Sequence, residues 1–336
     1  MFRKISGERP DRISFLLIPN FSMSAFTAML ESMRLANYTT GRTLYEWEVL
    51  SRDGAPVAAS NGVQVVADKG ITEAPHPENV AVCSGIGAQL YQDNVVFGWL
   101  RRWAREGAHI GALCTASHLL AHAGLLNGYR CTIHWENLES FREQYPELDV
   151  QPELFEIDRD RFTCAGGIAA ADMMLTEIAQ RHGEEVAAAV SEQFMHERIR
   201  EGHDNQRLPL QARLRISHPK LIQAIAEMEH YVEEALTREE IAARVGLSRR
   251  QLERLFRRYL NTSPARYYLR LRLERARLLL TQTTMPVTEI AFACGFTSAS
   301  HFSKCYRDMF GRTPRDERRS GSRGNETPDD SAATLQ

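Results

Sequence analysis

Ile241-Ala242-Ala243-Arg244-Val245-Gly246-Leu247-Ser248 is written a second time, 49 residues later, as Ile290-Ala291-Phe292-Ala293-Cys294-Gly295-Phe296-Thr297. The copies stay in step. Leu252 and Phe256 precede Ser263-Pro264 in the first, and Phe302 and Tyr306 precede Thr313-Pro314 in the second, where one extra residue has moved the offset to 50. Each copy is an apolar-periodic segment, a glycine, then a second apolar-periodic segment. That is the pattern of two helices joined by a tight turn.

Local signals agree with this pattern. Thr237 followed by Glu240, and Ser248 followed by Gln251, fit capping boxes that start helices. In the helix expected over 249–260, Leu252, Leu255, Phe256 and Tyr259 are spaced to face a core. Arg249, Arg250, Gln251 and Arg254 lie towards its start, the part of a helix-turn-helix unit that enters the major groove. Arginine suits a bidentate contact with guanine, and glutamine one with adenine. In the second copy Ala299, Ser300, Ser303 and Lys304 take the matching face. With fewer long donors, this face suits shape and phosphate more than base edges. Pro264 opens a helix of roughly 25 Å with Leu269, Leu273, Ala276 and Leu280 as one apolar stripe. It can hold the two units at a fixed separation.

Charge divides the chain the same way. Net charge is −2 over 336 residues, yet 217–318 holds 18 Lys/Arg against 12 Asp/Glu, and 1–216 holds 21 against 28. A basic C-terminal module beside an acidic N-terminal one points to a polyanionic partner for the former. Six cysteines without CxxC spacing, no apolar signal core and no run long enough to cross a bilayer imply a cytoplasmic chain with reduced thiols and no metal site.

The N-terminal part reads as α/β. Apolar runs at 13–18, 47–50, 64–66, 80–83 and 110–113 are expected strands, with helices from Ser22 or Ser24 to Asn37 and over 96–106 between them. This alternation predicts a parallel sheet covered on both faces. A hairpin is expected at 155–157 and 161–164, followed by helices over 169–182 and 184–200. The domains are therefore 11–200, a linker at 201–216, 217–318, and a disordered tail at 319–336. Strand 110–113 runs into Cys114-Thr115-Ala116-Ser117 and a helix, the geometry of a nucleophile elbow. A thiol there would sit at the positive end of a helix, which favours thiolate. His134 follows in Thr132-Ile133-His134-Trp135. Cysteine plus histidine is the minimum for nucleophilic catalysis, while a buried structural pair is the alternative.

The repeated unit closely resembles AraC-type regulators over about 220–316, through Ile241, Ala242, Gly246, Leu247, Ser248, Leu252, Phe256 and Pro264, and their second-copy counterparts. The resemblance implies binding to promoter DNA at two adjacent major-groove segments, with activation through RNA polymerase. Cys114, the stretch Leu119-Leu120-Ala121-His122-Ala123-Gly124-Leu125-Leu126-Asn127-Gly128, then Thr132 and His134-Trp135, look like the PfpI-type domain of the class I glutamine amidotransferase-like superfamily over about 12–195. That implies a flavodoxin-like sandwich that often pairs as a homodimer. Active members carry a carboxylate soon after the first strand. Here Pro19-Asn20-Phe21-Ser22-Met23-Ser24 has none, and Ala116 stands where glycine is usual. The elbow is thus expected to survive as a ligand site without catalysis or a cofactor.

The combination resembles the GlxA-type regulators. Within them Phe21-Ser22-Met23, Leu30-Glu31-Ser32-Met33-Arg34-Leu35-Ala36-Asn37 and Glu197-Arg198-Ile199-Arg200 look most similar to regulators of glycine betaine, choline and carnitine catabolism. A quaternary amine wants an aromatic cage. Phe21, Phe26, Tyr91, Trp99 and Trp135 are the candidate walls, and Glu31 is the candidate counter-charge. The expected effector site is therefore Cys114, His134, Trp135, Phe21 and Glu31. Two rival readings are a Cys114-dependent amidase or hydrolase with an accessory DNA-binding domain, and an architectural protein that binds all DNA alike.

Overall fold

The computed structural model describes residues 1–3, 9–74 and 76–323, with side chains as far as Arg319. The chain divides into two compact units, 1–206 and 207–336.

In the first unit the strands are β1 (Asp11–Leu17), β2 (Tyr45–Ser51), β3 (Val57–Ala58), β4 (Gln64–Val65), β5 (Lys69–Gly70), β6 (Asn79–Ser84), β7 (His109–Cys114), β8 (Arg130–Cys131), β9 (Asp149–Val150), β10 (Phe155–Asp158) and β11 (Arg161–Cys164). Seven form one sheet in the order β10-β11-β7-β6-β1-β2-β5. All its pairings are parallel except that of the edge strand β10 with β11. The helices are α1 (Met23–Thr40), α2 (Asn94–Arg105), α3 (Ser117–His122), α4 (Leu138–Gln144), α5 (Ala169–His182) and α6 (Glu184–Gln193).

Side-chain alternation sorts each strand between two cores. Phe15, Leu17, Ala81 and Cys83 pack with Met29, Met33, Met174 and Ile178 from α1 and α5. Leu16, Val80 and Val82 pack with Val96, Leu100, Leu119 and Phe141 from α2, α3 and α4. This is the flavodoxin-like, mostly parallel sandwich expected.

Two local expectations are corrected. The 64–66 segment makes only a two-residue pair with β3 outside the main sheet, and Val66 is exposed, because no helix covers it. The helix expected over 184–200 ends at Gln193. Met195 then turns left-handed at φ 53°, and the chain folds back because buried Asp172 claims the donors that follow. Its carboxylate accepts from His196 Nε2 at 2.8 Å and from Arg200 at N (2.9 Å), Nε (2.9 Å) and Nη2 (2.6 Å). The chain then passes the residues that lead into β10: Leu154 N–H donates to Gly202 O at 2.8 Å, and Glu153 bridges Asn205.

The second unit is helical: α7 (Leu210–Leu214), α8 (Pro219–His230), α9 (Arg238–Arg244), α10 (Arg249–Leu260), α11 (Pro264–Gln282), α12 (Val287–Ala293), α13 (Ala299–Phe310) and α14 (Pro314–Arg323). Both expected capping boxes form, Thr237 with Glu240 and Ser248 with Gln251. Gly246 (φ 66°) and Gly295 (φ 72°) make the left-handed turns that the repeat placed between helices. Two cores result. One holds Leu221, Ile241, Leu252, Phe256 and Tyr268, and the other Leu273, Leu280, Ile290, Phe302 and Tyr306. Tyr259, expected in the core, is 39% exposed: it falls near the end of α10, where its ring lies 5.6 Å from that of His218. The expected linker contains α7, and Ile216 is buried. The expected tail is helical as far as Arg323, and its remainder lies outside the described residues.

One buried group sets a pH dependence for the first unit. His118 has no exposed surface, its two ring nitrogens have no hydrogen-bond partner, and its ring stands edge-on to Phe141 at 4.9 Å. Burial, with a smaller contribution from His122, pushes its pKa down to about 3. The fold binds the neutral ring, so this contribution is complete above the ordinary value of about 6.5 and is lost as pH falls below it. All four tryptophans lie in 1–206, so their fluorescence reports this unit. Between pH 7.5 and 5 the wild type should lose about 2 kcal/mol more urea stability than His118→Leu. Parallel pH profiles for the two proteins would remove His118 as the cause.

Candidate functional site

β7 ends at Cys114, held at φ 64°, a conformation that non-glycine residues adopt only when their surroundings impose it. Thr115 Oγ1 donates to Gly85 O at 2.6 Å, and Ser117 Oγ, the first residue of α3, to Thr132 O at 2.6 Å. Phe21, after β1, bridges both Gly85 and Ala59 through its backbone. Gly166, after β11, closes the far side: a Cβ there would lie 2.7 Å from Cys114 Cβ and 2.9 Å from Sγ. The carboxyl ends of β1, β6, β7 and β11 thus converge on the thiol, the place where open α/β sheets bind ligands.

The chemistry of the thiol differs from the sequence expectation. Burial pushes Cys114 up to about 11, against hydrogen bonds from the Thr115 backbone and the Ser22 side chain, and Glu136 pushes the same way. Helix α3 is only six residues long, so the pull of its dipole is outweighed by desolvation. His134 meets Cys114 through the backbone, its N–H donating to Cys114 O at 3.3 Å. Its ring nitrogen Nδ1 instead accepts from Glu136 N at 3.4 Å. Burial lowers the His134 pKa while Glu136 raises it, and the thiol exerts no resolved effect. The Trp135 ring lies 5.6 Å from that of His134. Glu136 is thus a carboxylate whose charge reaches both groups. Its position two residues beyond His134 was a signal the sequence reading passed over.

Other expected ligand residues do not gather here. Phe21 is fully buried, its ring 5.7 Å from Phe26 in an edge-on pair within the core against which Cys114 packs. Glu31 pairs with Arg34 at 2.7 Å on the outer face of α1, roughly 12 Å along the helix from its start. Phe21 and Phe26 pack on one side of the sheet, Tyr91 and Trp99 on the other. These four rings are therefore divided between the two cores.

The same stretch connects the elbow to the end of the unit. Gln206 Nε2 lies 3.1 Å from Thr132 Oγ1, 3.0 Å from Ile133 O and 2.8 Å from Glu153 O. Thr132 and Ile133 immediately precede His134, and Arg207 begins the second unit.

In the second unit α10 presents Arg249, Arg250, Gln251, Arg254, Arg257 and Arg258 as an exposed basic face. These residues are not equivalent. Arg249 is engaged by Glu239 (3.1 Å) and Glu253 (3.3 Å). Gln251 Oε1 accepts from Ser248 N at 2.7 Å in the capping box, leaving its amide protons to face outward. Arg250 and Arg254 have no ion pair among the described residues and share a concave face with Arg257 and Arg258. On α13, Ser300 and Lys304 are exposed, while Ala299 and Ser303 are half-buried. The sequence reading omitted His301, exposed on the first turn, whose Nε2 lies 3.3 Å from Cys305 Sγ.

Comparison with known proteins agrees with this two-part architecture. Residues 11–180 match the DJ-1/PfpI family, and residues 241–320 match a helix-turn-helix domain. The chain is 49% identical over 314 residues to the HTH-type transcriptional regulator GbdR of Pseudomonas aeruginosa, covering 93% of this chain and 85% of that one. It is 37% identical over 313 residues to the HTH-type transcriptional regulator GlxA of Rhizobium meliloti, covering 93% and 97%. The crystal structure of an AraC family transcriptional regulator from Pseudomonas putida superposes with a TM-score of 0.50 at 28% identity, covering 55% of this chain and 100% of that one. With a DJ-1/PfpI domain ahead of an AraC-type helix-turn-helix domain, the chain belongs to the GlxA-type transcriptional regulators.

Proposed function

We propose that this DNA-binding regulator is an activator whose DJ-1/PfpI domain binds a small methylated or quaternary amine, such as glycine betaine or carnitine, at a catalytically silent elbow. The observation that carries this reading is the Cys114 site itself, a desolvated thiol that feels the Glu136 charge, joined through the backbone to His134, whose ring lies 5.6 Å from that of Trp135. An aromatic face and a carboxylate suit a cation, and Glu136 takes the counter-charge role first considered for Glu31. Ligand contact with 132–135 would act on Gln206 and so on the chain entering the DNA-binding unit. The working form in this reading is a cytoplasmic homodimer on promoter DNA that touches RNA polymerase, as the sequence resemblance implies. No helix among the described residues is long and apolar enough to cross a membrane.

Base reading is assigned to Arg250 and Arg254, which have no ion pair among the described residues. Arg249 and the capped Gln251 serve phosphate and orientation. On α13, Ala299, Ser300, Ser303 and Lys304 form the second, less base-specific contact.

The left-handed Cys114 also favours one rival, an amidase- or hydrolase-class enzyme. At a pKa of about 11 only about one thiol in ten thousand is ionised at pH 7. Iodoacetamide at neutral pH, mapped by mass spectrometry, should therefore leave Cys114 unmodified in the folded protein and label it after unfolding. Rapid labelling of the folded protein would revive the enzyme.

Arg250→Ala and Arg254→Ala should each weaken binding to a site selected from random DNA by about 1–3 kcal/mol, and Arg249→Ala by less. Fluorescence anisotropy measures this, and wild-type affinity in both variants would remove the base contacts. For the effector, thermal melting against glycine betaine, dimethylglycine, choline, carnitine and arginine is the direct test. A specific ligand at a hundred times its Kd adds about 2.7 kcal/mol. A shift with arginine alone, or with none of the panel, would overturn the methylated-amine assignment.

A further inference from the structure

Helix α11 serves both reading units. Tyr267 and Tyr268 belong to the first core, and Leu273, Ala276, Leu279 and Leu280 to the second. At the border stand Tyr268 and Arg272, one helical turn apart on the same face. The Tyr268 hydroxyl accepts from Leu236 N at 3.3 Å and donates to Tyr231 O, pinning the connection between α8 and α9. Arg272 donates from Nε to Cys294 O at 2.7 Å and from Nη2 to Gly295 O at 2.6 Å, with its guanidinium 4.2 Å from the centre of the Phe296 ring. These carbonyls lie in the turn of the second helix-turn-helix.

That turn is held from the other side as well. A Cβ on Gly295 would lie 2.6 Å from Val232 O and 2.8 Å from Glu233 O, both in the α8–α9 connection that leads into the first helix-turn-helix. The second turn is therefore wedged between Arg272 and the α8–α9 connection. No carboxylate pairs with Arg272 among the described residues, and burial lowers its pKa. Burying a cation against neutral carbonyls is a poor way to gain stability. What a planar fork gains is orientation: two parallel bonds to adjacent carbonyls fix both direction and rotation.

We propose that Arg272 is a positioning residue for DNA reading, which sets the rotation of the second helix-turn-helix against the first and thereby the spacing of half-sites the protein accepts. The inference rests on the two units reading separate half-sites, so its test includes a duplex that only the first unit reads. Duplexes are built from the site that the full wild-type chain selects from random-sequence DNA. One set holds native spacing or one base pair more or less, and a further duplex carries the first half-site alone.

Wild type should prefer native spacing by about tenfold or more. Arg272→Met should bind the lone half-site like wild type yet show less than about threefold preference. Arg272→Lys keeps the charge but not the fork, should behave in the same way, and carries the test if Arg272→Met does not fold. Full spacing preference in Arg272→Lys overturns the proposal. So does a wild type indifferent to spacing, or a loss of lone half-site binding that accompanies the loss of preference. Failure of wild type to bind the lone half-site at all instead points to the two-half-site reading as the error.

Discussion

The carboxylate of Asp172 has no exposed surface, and a buried charge persists only where donors surround it. All four donors that meet it come from His196 and Arg200. That single requirement forbids α6 from running on to Arg200. A straight helix would carry these donors away, so the chain breaks at left-handed Met195 and returns past the residues that lead into β10, where Leu154 N–H finds Gly202 O. It also delivers Gln206 to Thr132 and Ile133. The end of the first unit lies beside its elbow because one aspartate on α5 has to be satisfied.

This explains which parts of the fold were legible in the sequence. The helices of the second unit announce themselves through caps and a repeated glycine turn, all local features. The central strands announce themselves as unbroken apolar runs. The 184–200 segment is helical by propensity, and nothing within it says that it must stop. The stop signal is Asp172, on another helix, which no periodicity analysis connects to His196. Val66 fails for the complementary reason: its local pattern is strand-like, but no partner is placed beside it.

At the elbow the order of elements was legible, and the ionisation of the thiol was not. Strand, cysteine and helix were readable in order, and Cys114 takes the left-handed turn that this order requires. Whether its thiol ionises depends on burial and on nearby charge, and both are three-dimensional. Gly166 closes over the sulfur from β11, and Glu136 supplies negative charge where a thiolate would need positive. Nor does residue type say which side of a sheet an aromatic ring takes. Rings at 21 and 26 fell to one core, and those at 91 and 99 to the other. Only Trp135, tied in sequence to His134, stayed near.

The magnitude of these contacts bears on how a ligand could be heard at the DNA. Gln206 offers two amide protons to three acceptors, and its own Oε1 is buried without a partner. A neutral hydrogen bond contributes about 0.5–1.5 kcal/mol net, and an unsatisfied buried acceptor costs about 1–3 kcal/mol. The latch is therefore close to balance, unlike the charge-assisted anchor at Asp172 at the other end of the strap. Couplings between binding sites are typically about 1–3 kcal/mol, and a ligand shifts an equilibrium only by its differential affinity for two states. A latch worth many kcal/mol would stay shut whatever bound at the elbow, and one worth nothing would transmit nothing. A near-balanced amide, one residue before the DNA-binding unit and seated on the two residues before His134, is in the range where a small effector can change its occupancy. The firm anchor at Asp172 would confine that change to the last residues of the strap, next to the part of the chain that enters the reader.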